Sequence, residues 1–319
     1  MVWRGPETWE ETALHSSGLI SIDWGTSAFR AYLVGADGAT IDQRRSALGI
    51  LSVPAGGYEA TLAEAIGVWR ALDGALPILM SGMVGARQGW REAPYAPCPA
   101  GLTEIGAAIV AIDGGALGPI GLVPGVRRGD GDAEPDVMRG EETQILGAVA
   151  WSGRADETLV LPGTHSKWAR VADGRIRSFS TYMTGEIFAA LKGHTILGRL
   201  MNDGQGSGEG FAEGVRAATR LSAPGDLLHA VFMTRSLGLF DRLSASELSD
   251  YLSGLLIGAE VLAGSAGAPD GAIVVGSPGL TERYLKAGAL LGLKLRAAPE
   301  DCVPRGHLAL LDGWRARAL

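Results

Sequence analysis

A strand–turn–strand unit occurs twice in this chain of 319 residues, and the repetition narrows the fold more than any other feature. Residues 19–38 read LISIDWGTSAFRAYLVGADG. An apolar run enters Asp23, a Gly25-Thr26-Ser27 turn follows, a second apolar run spans Phe29 to Val34, and Asp37-Gly38 closes it. Residues 158–174, TLVLPGTHSKWARVADG, repeat the grammar with Gly163-Thr164, a strand through Trp168 to Val171, and Asp173-Gly174. Asp-Gly between apolar runs is a strong hairpin signal. The Gly-Thr pairs stand 138 residues apart and the Asp-Gly pairs 136, so two signals match at nearly one separation. Such a spacing fits duplicated half-chains and is far too long for a solenoid repeat.

Helices alternate with the strands. Tyr58, Leu62, Ile66, Trp69 and Leu72 mark one apolar face at spacings of three and four. Ser244-x-x-Glu247 matches a capping box and opens a helix carrying Leu248, Leu252, Leu255, Leu256 and Leu262. Short strands, Pro77–Met80 and Ala272–Val275, lie between. The pattern predicts an α/β protein of two similar layered domains with an interdomain cleft, a favoured ligand site. The expected division is an N-terminal extension over 1–18, a first domain over 19–152 and a second over 153–319, the last helix returning to the first.

Composition excludes several classes. Apolar residues make up 46% and charged residues 20%, enough to build a core and unlike a disordered chain. A net charge of −7 gives no global basic field, so no nucleic-acid partner is expected. The apolar stretch 105–126 is broken by Gly114, Gly115, Gly118, Pro119, Gly121 and Pro124, so no membrane span is expected. Cys98 and Cys302 are too few for a disulfide scaffold or a multi-cysteine metal site, which favours reduced thiols and a cytoplasmic location. The apolar balance leaves room for a homodimer.

Five segments carry candidate chemistry. In the first turn, Gly25 lets backbone approach phosphate oxygens, Thr26 and Ser27 add hydroxyls, and Asp23 suits Mg²⁺. The turn Gly163-Thr164-His165-Ser166-Lys167 supplies a second half of a phosphate clamp, with Lys167 offsetting γ-phosphate charge. Gly276-Ser277, at a strand end before a helix, offers backbone for a flat purine ring. In MSGMVGARQGWREAPYAPCP (80–99), Arg87 suits a carboxylate and Trp90 a sugar's C–H face. In DVMRGEETQILG (136–147), Glu141 or Glu142 serves as a general base and Arg139 as a carboxylate anchor. Ordinary readings stand beside these: hairpin turns, a plain strand–helix connection, a structured surface loop, and acidic residues favoured in a helix's first turn. Neither a P-loop motif nor a G-x-G-x-x-G follows the first strand.

Four of these stretches together resemble the 2-dehydro-3-deoxygalactonokinase family, bacterial sugar-acid kinases within the sugar kinase and actin-like ATPase superfamily. They are Ile22-Asp23-Trp24-Gly25-Thr26-Ser27, Ser81-Gly82-Met83-Val84-Gly85-Ala86-Arg87-Gln88-Gly89-Trp90, Asp136 to Gln144, and Pro162-Gly163-Thr164-His165-Ser166-Lys167-Trp168. The resemblance spans roughly residues 19–315; the second and third stretches are its specific part. It implies two actin-like (ribonuclease H-like) domains and ATP-dependent phosphorylation, with Mg²⁺, of 2-dehydro-3-deoxy-D-galactonate at the terminal 6-hydroxyl, in galactonate breakdown. It implies phosphate contacts at Asp23, Gly25, Thr26, Ser27, Gly163 and Thr164, an adenosine turn at Gly276 and Ser277, and acid binding by Ser81, Gly82, Met83, Arg87, Trp90 and Arg139. The superfamily's obvious aspartate base has no clear counterpart here; Glu141 or Glu142 is the first expectation and His165 the second. Kinases of another ketodeoxy or anhydro sugar acid, and a non-catalytic sugar or nucleotide sensor on the same fold, are the alternatives.

Overall fold

Apolar runs joined by the Gly25–Ala28 and Asp37-Gly38 turns make the first antiparallel meander. In the computed structural model, β1 (Ser17–Trp24) pairs antiparallel with β2 (Phe29–Gly35), which pairs antiparallel with β3 (Thr40–Ser46). The structure describes residues 17–129, 134–202, 204, 206–223 and 225–318, so the extension expected over 1–18 lies almost wholly outside the described residues. The chain divides into two compact units. One holds residues 1–156, 171–178 and 301–319; the other holds 157–170 and 179–300.

In the first unit, β4 (Ile78–Ser81) joins β1 in parallel, and β7 (Pro119–Leu122) and β6 (Val110–Asp113) complete a six-stranded sheet ordered β3-β2-β1-β4-β7-β6. A small sheet, β5 (Tyr95–Pro97), β8 (Gly125–Arg128) and β9 (Asp136–Met138), lies apart from it. Helix α1 (Tyr58–Leu72) buries Leu62, Ala65, Ile66 and Trp69 with Ile20, Ile22, Trp24 and Phe29. Leu62, Ile66 and Trp69 follow the face read from the sequence, whereas Leu72, in the last turn, is exposed; burial of the others removes apolar surface from water.

Helix α2 (Leu102–Ala107) and helix α3 (Glu141–Ser152) pack with the last helix, α9 (Cys302–Ala318). The α3–α9 crossing depends on glycine. A Cβ at Gly147 would fall on the Cys302 carbonyl, and one at Gly306 would fall on the Thr143 carbonyl. His307 on α9 is fully buried, its Nδ1 paired with the Ser21 hydroxyl at 2.7 Å. Burial holds that imidazole neutral, its pKa lowered to about 3.

The second unit repeats the plan. A five-stranded sheet is ordered β12-β11-β10-β13-β14, from β10 (Glu157–Leu161), β11 (Ser166–Ala172), β12 (Arg175–Tyr182), β13 (Ala272–Val274) and β14 (Leu295–Ala297), with residues 171–178 of the β11–β12 hairpin grouped with the first unit. Both sheets therefore begin third-second-first and then add a parallel strand beside the first. This is the duplicated α/β architecture that the twin turns predict. Helices α4 (Thr184–His194), α5 (Glu209–Ala218), α6 (Asp226–Leu239), α7 (Ala245–Gly264) and α8 (Pro278–Leu290) accompany it. The Ser244–Glu247 capping box opens α7 as read. Among the described residues no helix is long and apolar enough to cross a membrane.

Candidate active site

In the first unit, β1 and β4 run parallel and stop together, Asp23 in register with Ser81. Strand C-termini of this kind are where open α/β sheets take ligands. Beyond Ser81 the chain turns at Gly82, with φ +98°; a Cβ there would stand 2.8 Å from the Trp24 carbonyl oxygen. Gly140, at φ +101°, backs onto it, and a Cβ on Gly140 would stand 3.2 Å from Gly82 Cα. Only glycine tolerates both the conformation and the approach. The two residues bring the ends of β1 and β4 against the start of α3.

Asp23 is 13% exposed, and Arg30, its cross-strand partner on β2, donates to its carboxylate at 2.9 Å. Burial pushes the Asp23 pKa above the ordinary range; Arg30 opposes that shift, and the Glu141 charge adds to it. The neighbouring Gly25–Ala28 turn is latched down: Gly25 N–H donates to Ala28 O, and Ile50 and Leu51 N–H donate to Gly25 and Thr26 carbonyls. Thr26 and Ser27 are exposed.

The two glutamates differ sharply. Glu142 is fully buried, its carboxylate accepting from Gly140 N–H at 2.6 Å and Thr143 hydroxyl at 3.0 Å. Burial, with Glu141's charge second, pushes its pKa to about 8. Glu141 is half-buried, and its carboxylate accepts from Arg139 N–H at 3.0 Å. A helix turns about 100° per residue, so adjacent glutamates at its start face different surroundings.

Arg139 is 9% exposed. Its guanidinium lies 4.3 Å from the Tyr95 ring centroid and donates Nη2 to the Ala93 carbonyl, while Nε and Nη1 have no partner among the described residues. Buried unpaired donors are costly, and a guanidinium suits bidentate carboxylate binding. The Ser81 hydroxyl is fully buried and likewise unpartnered. Arg87, by contrast, is 87% exposed and pairs only loosely with Glu92, at 3.6 Å. Trp90 lies parallel to Tyr58 with centroids 5.9 Å apart, so one ring face is taken. Met83 is half-buried beside them.

In the second unit the loop after β10 is held by α4. Glu186 N–H donates to Thr164 O, the Glu186 carboxylate lies 2.6 Å from His165 Nε2, and a Cβ on Gly185 would fall on the Gly163 carbonyl. Lys167 is buried, its ammonium donating to the His165 carbonyl at 3.1 Å. Gly276 faces Pro162, a Cβ there reaching the proline ring at 3.4 Å, and Ser277 N-caps α8. A cavity of about 320 Å³ opens here, lined by Gly163, Thr184 and Gly185, and by Asp250 and Ser253 of α7 with Arg283 of α8. Arg283 donates to Asp250 at 2.8 Å and to Ser253 at 3.2 Å.

The structure thus gathers Asp23, Ser81, Gly82, Arg139 and Glu141 in the first unit, and Gly163, Thr164, His165 and Gly276 in the second. The α4 and α7 contributions escape sequence reasoning. One signal was available: Ser246, Ser249, Asp250 and Ser253 recur at helical spacing and give α7 a hydroxyl-rich stripe opposite its leucines.

Among the described residues no cluster of three or more His, Cys, Asp or Glu is arranged for a metal. Mg²⁺ on a nucleotide needs less, one or two carboxylates with phosphates and water completing its shell. Asp23, whose Oδ1 faces Gly82 while Glu141's charge bears on it, fits that requirement.

The family model described as 2-keto-3-deoxy-galactonokinase matches residues 23–310. A protein of Rhizobium meliloti (strain 1021) named "Probable 2-dehydro-3-deoxygalactonokinase DgoK1" is 41% identical over 91% of this chain and 94% of its own. The 2-dehydro-3-deoxygalactonokinase of Escherichia coli (strain K12) is 33% identical over 88% of this chain and 93% of its own. A crystal structure from Sinorhizobium meliloti, assigned to 2-dehydro-3-deoxygalactonokinase, superposes with TM-score 0.81 at 38% identity, covering 94% of this chain and 99% of that one.

Proposed function

Because the chain belongs to the 2-keto-3-deoxy-galactonokinase family and is a phosphotransferase, we propose that it moves the γ-phosphoryl group of ATP to the 6-hydroxyl of 2-dehydro-3-deoxy-D-galactonate. The observation that carries this reading is the strand-to-helix turn Arg139-Gly140-Glu141. It sets a buried guanidinium with two unpaired donors two residues from a half-buried carboxylate. One group holds the acid's carboxylate; the other takes the proton of the attacking hydroxyl.

In this reading the 6-oxygen attacks the γ-phosphorus, the bond to the β–γ bridging oxygen breaks, ADP leaves, and Glu141 receives the proton. Positioning and charge neutralisation supply most of the acceleration in such transfers. Asp23 is the residue that would hold Mg²⁺, which neutralises phosphate oxygens when bound. Glu142 is assigned to the helix start, because its carboxylate is enclosed and committed to Gly140 and Thr143. In the second unit the α4–α7–α8 cavity takes the nucleoside, with Gly276 and Ser277, in the turn before α8, as the adenosine turn. Gly163 and Thr164 contact phosphate, and His165, tied to Glu186, orients that loop. Ser81, Gly82, Met83 and Trp90 frame the acid. Gly25, Thr26 and Ser27 form a phosphate-binding turn of the first unit. The product, a 6-phosphorylated 2-keto acid, is consumed in galactonate breakdown, and the enzyme works in the cytoplasm.

The test is ADP release from a panel of sugar acids in a coupled assay. Release dependent on 2-dehydro-3-deoxy-D-galactonate is the expected result. Preference for an epimeric or anhydro acid would reassign the substrate, and no acid-dependent release from any member would overturn the kinase reading.

A further inference from the structure

One carboxylate of the second unit is buried among neutral side-chain donors, and it joins elements that wall the cavity. Glu260 on α7 is 3% exposed. Its Oε1 accepts from the Ser166 hydroxyl at 2.6 Å and the Trp168 indole N–H at 2.8 Å; its Oε2 accepts from the Tyr284 hydroxyl at 2.6 Å. The Tyr284 hydroxyl also lies 3.4 Å from Ser166 Oγ. All three donors are neutral side chains, and all are buried.

Their positions give the cluster its meaning. Ser166 opens β11 directly after the Gly163–His165 loop. Trp168 stands two residues further, flat against α7, where a Cβ on Gly264 would fall on its ring. Tyr284 lines the cavity from α8, the helix that starts at Ser277. Burying a carboxylate among neutral donors is expensive, and apolar side chains of similar size would fill the same space at less cost. What apolar packing does not supply is direction. Three short hydrogen bonds to one rigid acceptor fix the Ser166 and Tyr284 side chains at set distances. Burial and the Glu260 charge hold the Tyr284 hydroxyl protonated, so it stays a donor.

We infer that Glu260 is a positioning residue for nucleotide binding. It sets the Gly163–His165 loop, through Ser166, at a fixed separation from helix α8, through Tyr284, so that phosphate and nucleoside walls match one ligand. Glu260 touches no reactant. The inference rests on the cavity being the nucleotide site.

The experiment measures steady-state kinetics with each substrate varied in turn, ADP affinity by calorimetry, and thermal midpoints for Glu260→Gln, Tyr284→Phe and the double variant. Gln keeps the shape and removes an acceptor. In each single variant the ATP KM and ADP Kd rise about tenfold, the loss of roughly one hydrogen bond to a charged group. The sugar-acid KM stays within about twofold. The double variant loses less than the sum, since both changes break one bond. An unchanged ATP KM in folded variants would overturn the inference, as would equal losses in kcat and both KM values tracking the fall in midpoint. Should Glu260→Gln fail to fold, Tyr284→Phe carries the same reading. Ser253→Trp, which fills the cavity, separates the two levels. If ADP binds that variant as it binds the wild type, the cavity is not the nucleotide site, whatever the Glu260 variants do.

Discussion

Arg30 and Asp23 face each other across the β1–β2 hairpin, and the guanidinium reaches the carboxylate at 2.9 Å. The pair sits where β1 and β4 end, so the charge state of Asp23 is set by two opposing influences, burial raising its pKa and Arg30 lowering it. Replacing Arg30 with Ala removes the lowering influence. The acid limb of the kcat/KM profile then moves to higher pH, because Asp23 must lose its proton to hold a cation. Asp23→Asn at any pH lowers kcat/KM by roughly 10²–10³, the scale seen when one preorganised electrostatic group is lost. A pH–rate series on both variants, with thermal midpoints, checks this; a stationary limb in Arg30→Ala would count against the role of Asp23.

Arg139→Lys raises the KM for the sugar acid by roughly ten- to hundredfold, the equivalent of about 1.5–3 kcal/mol for a hydrogen bond to a charged group. Lysine keeps the charge and loses both the planar stack on Tyr95 and the paired donors. The ATP KM stays put. Arg87→Ala, at an exposed and loosely paired position, changes the acid KM by less than about twofold. Kinetics with the acid varied distinguish the two arginines, and equal losses would refute the assignment.

Glu141→Gln lowers kcat by roughly 10²–10⁴, the usual span for removing a general base. Glu142→Gln leaves kcat near the wild-type value and changes the pH dependence of stability instead. The folded pKa of Glu142 is about 8, well above its ordinary 4.5, so the folded state binds the extra proton between those values. Its contribution is complete below about pH 4.5 and is lost as pH rises through 8. Wild-type melting temperature therefore falls over that interval, and the Gln variant shows a flatter curve. Parallel curves would place the Glu142 carboxylate outside the buried site described.

Gly185→Ala puts a methyl group on the Gly163 carbonyl and pushes α4 off the loop. The ATP KM rises by about tenfold or more, while the acid KM holds. Calorimetry with ADP and steady-state kinetics read this directly; unchanged nucleotide affinity would separate α4 from the phosphate loop.

The twin hairpins were legible because their signals are local: apolar runs, a Gly-Thr turn and an Asp-Gly turn within some twenty residues each. The α1 face and the α7 capping box were legible for the same reason. The α4–α7–α8 cavity was not, since Arg283 and Asp250 stand 33 residues apart and meet only when α7 and α8 pack. Arg87 and Arg139 read alike as carboxylate ligands; burial, a tertiary property, separates them. Glu141 and Glu142 are neighbours in sequence, and only the phase of α3 tells which of them is enclosed.

The glycine crossing of α3 and α9 has a consequence for biogenesis. Residues 301–319 belong to the first unit, yet they leave the ribosome after the whole of 157–300. The second unit can mature while the chain is still being made, whereas the hydrophobic underside of the first stays open until Gly306 settles onto Thr143. Nascent molecules interrupted anywhere before that point would expose this face to chaperones and proteases.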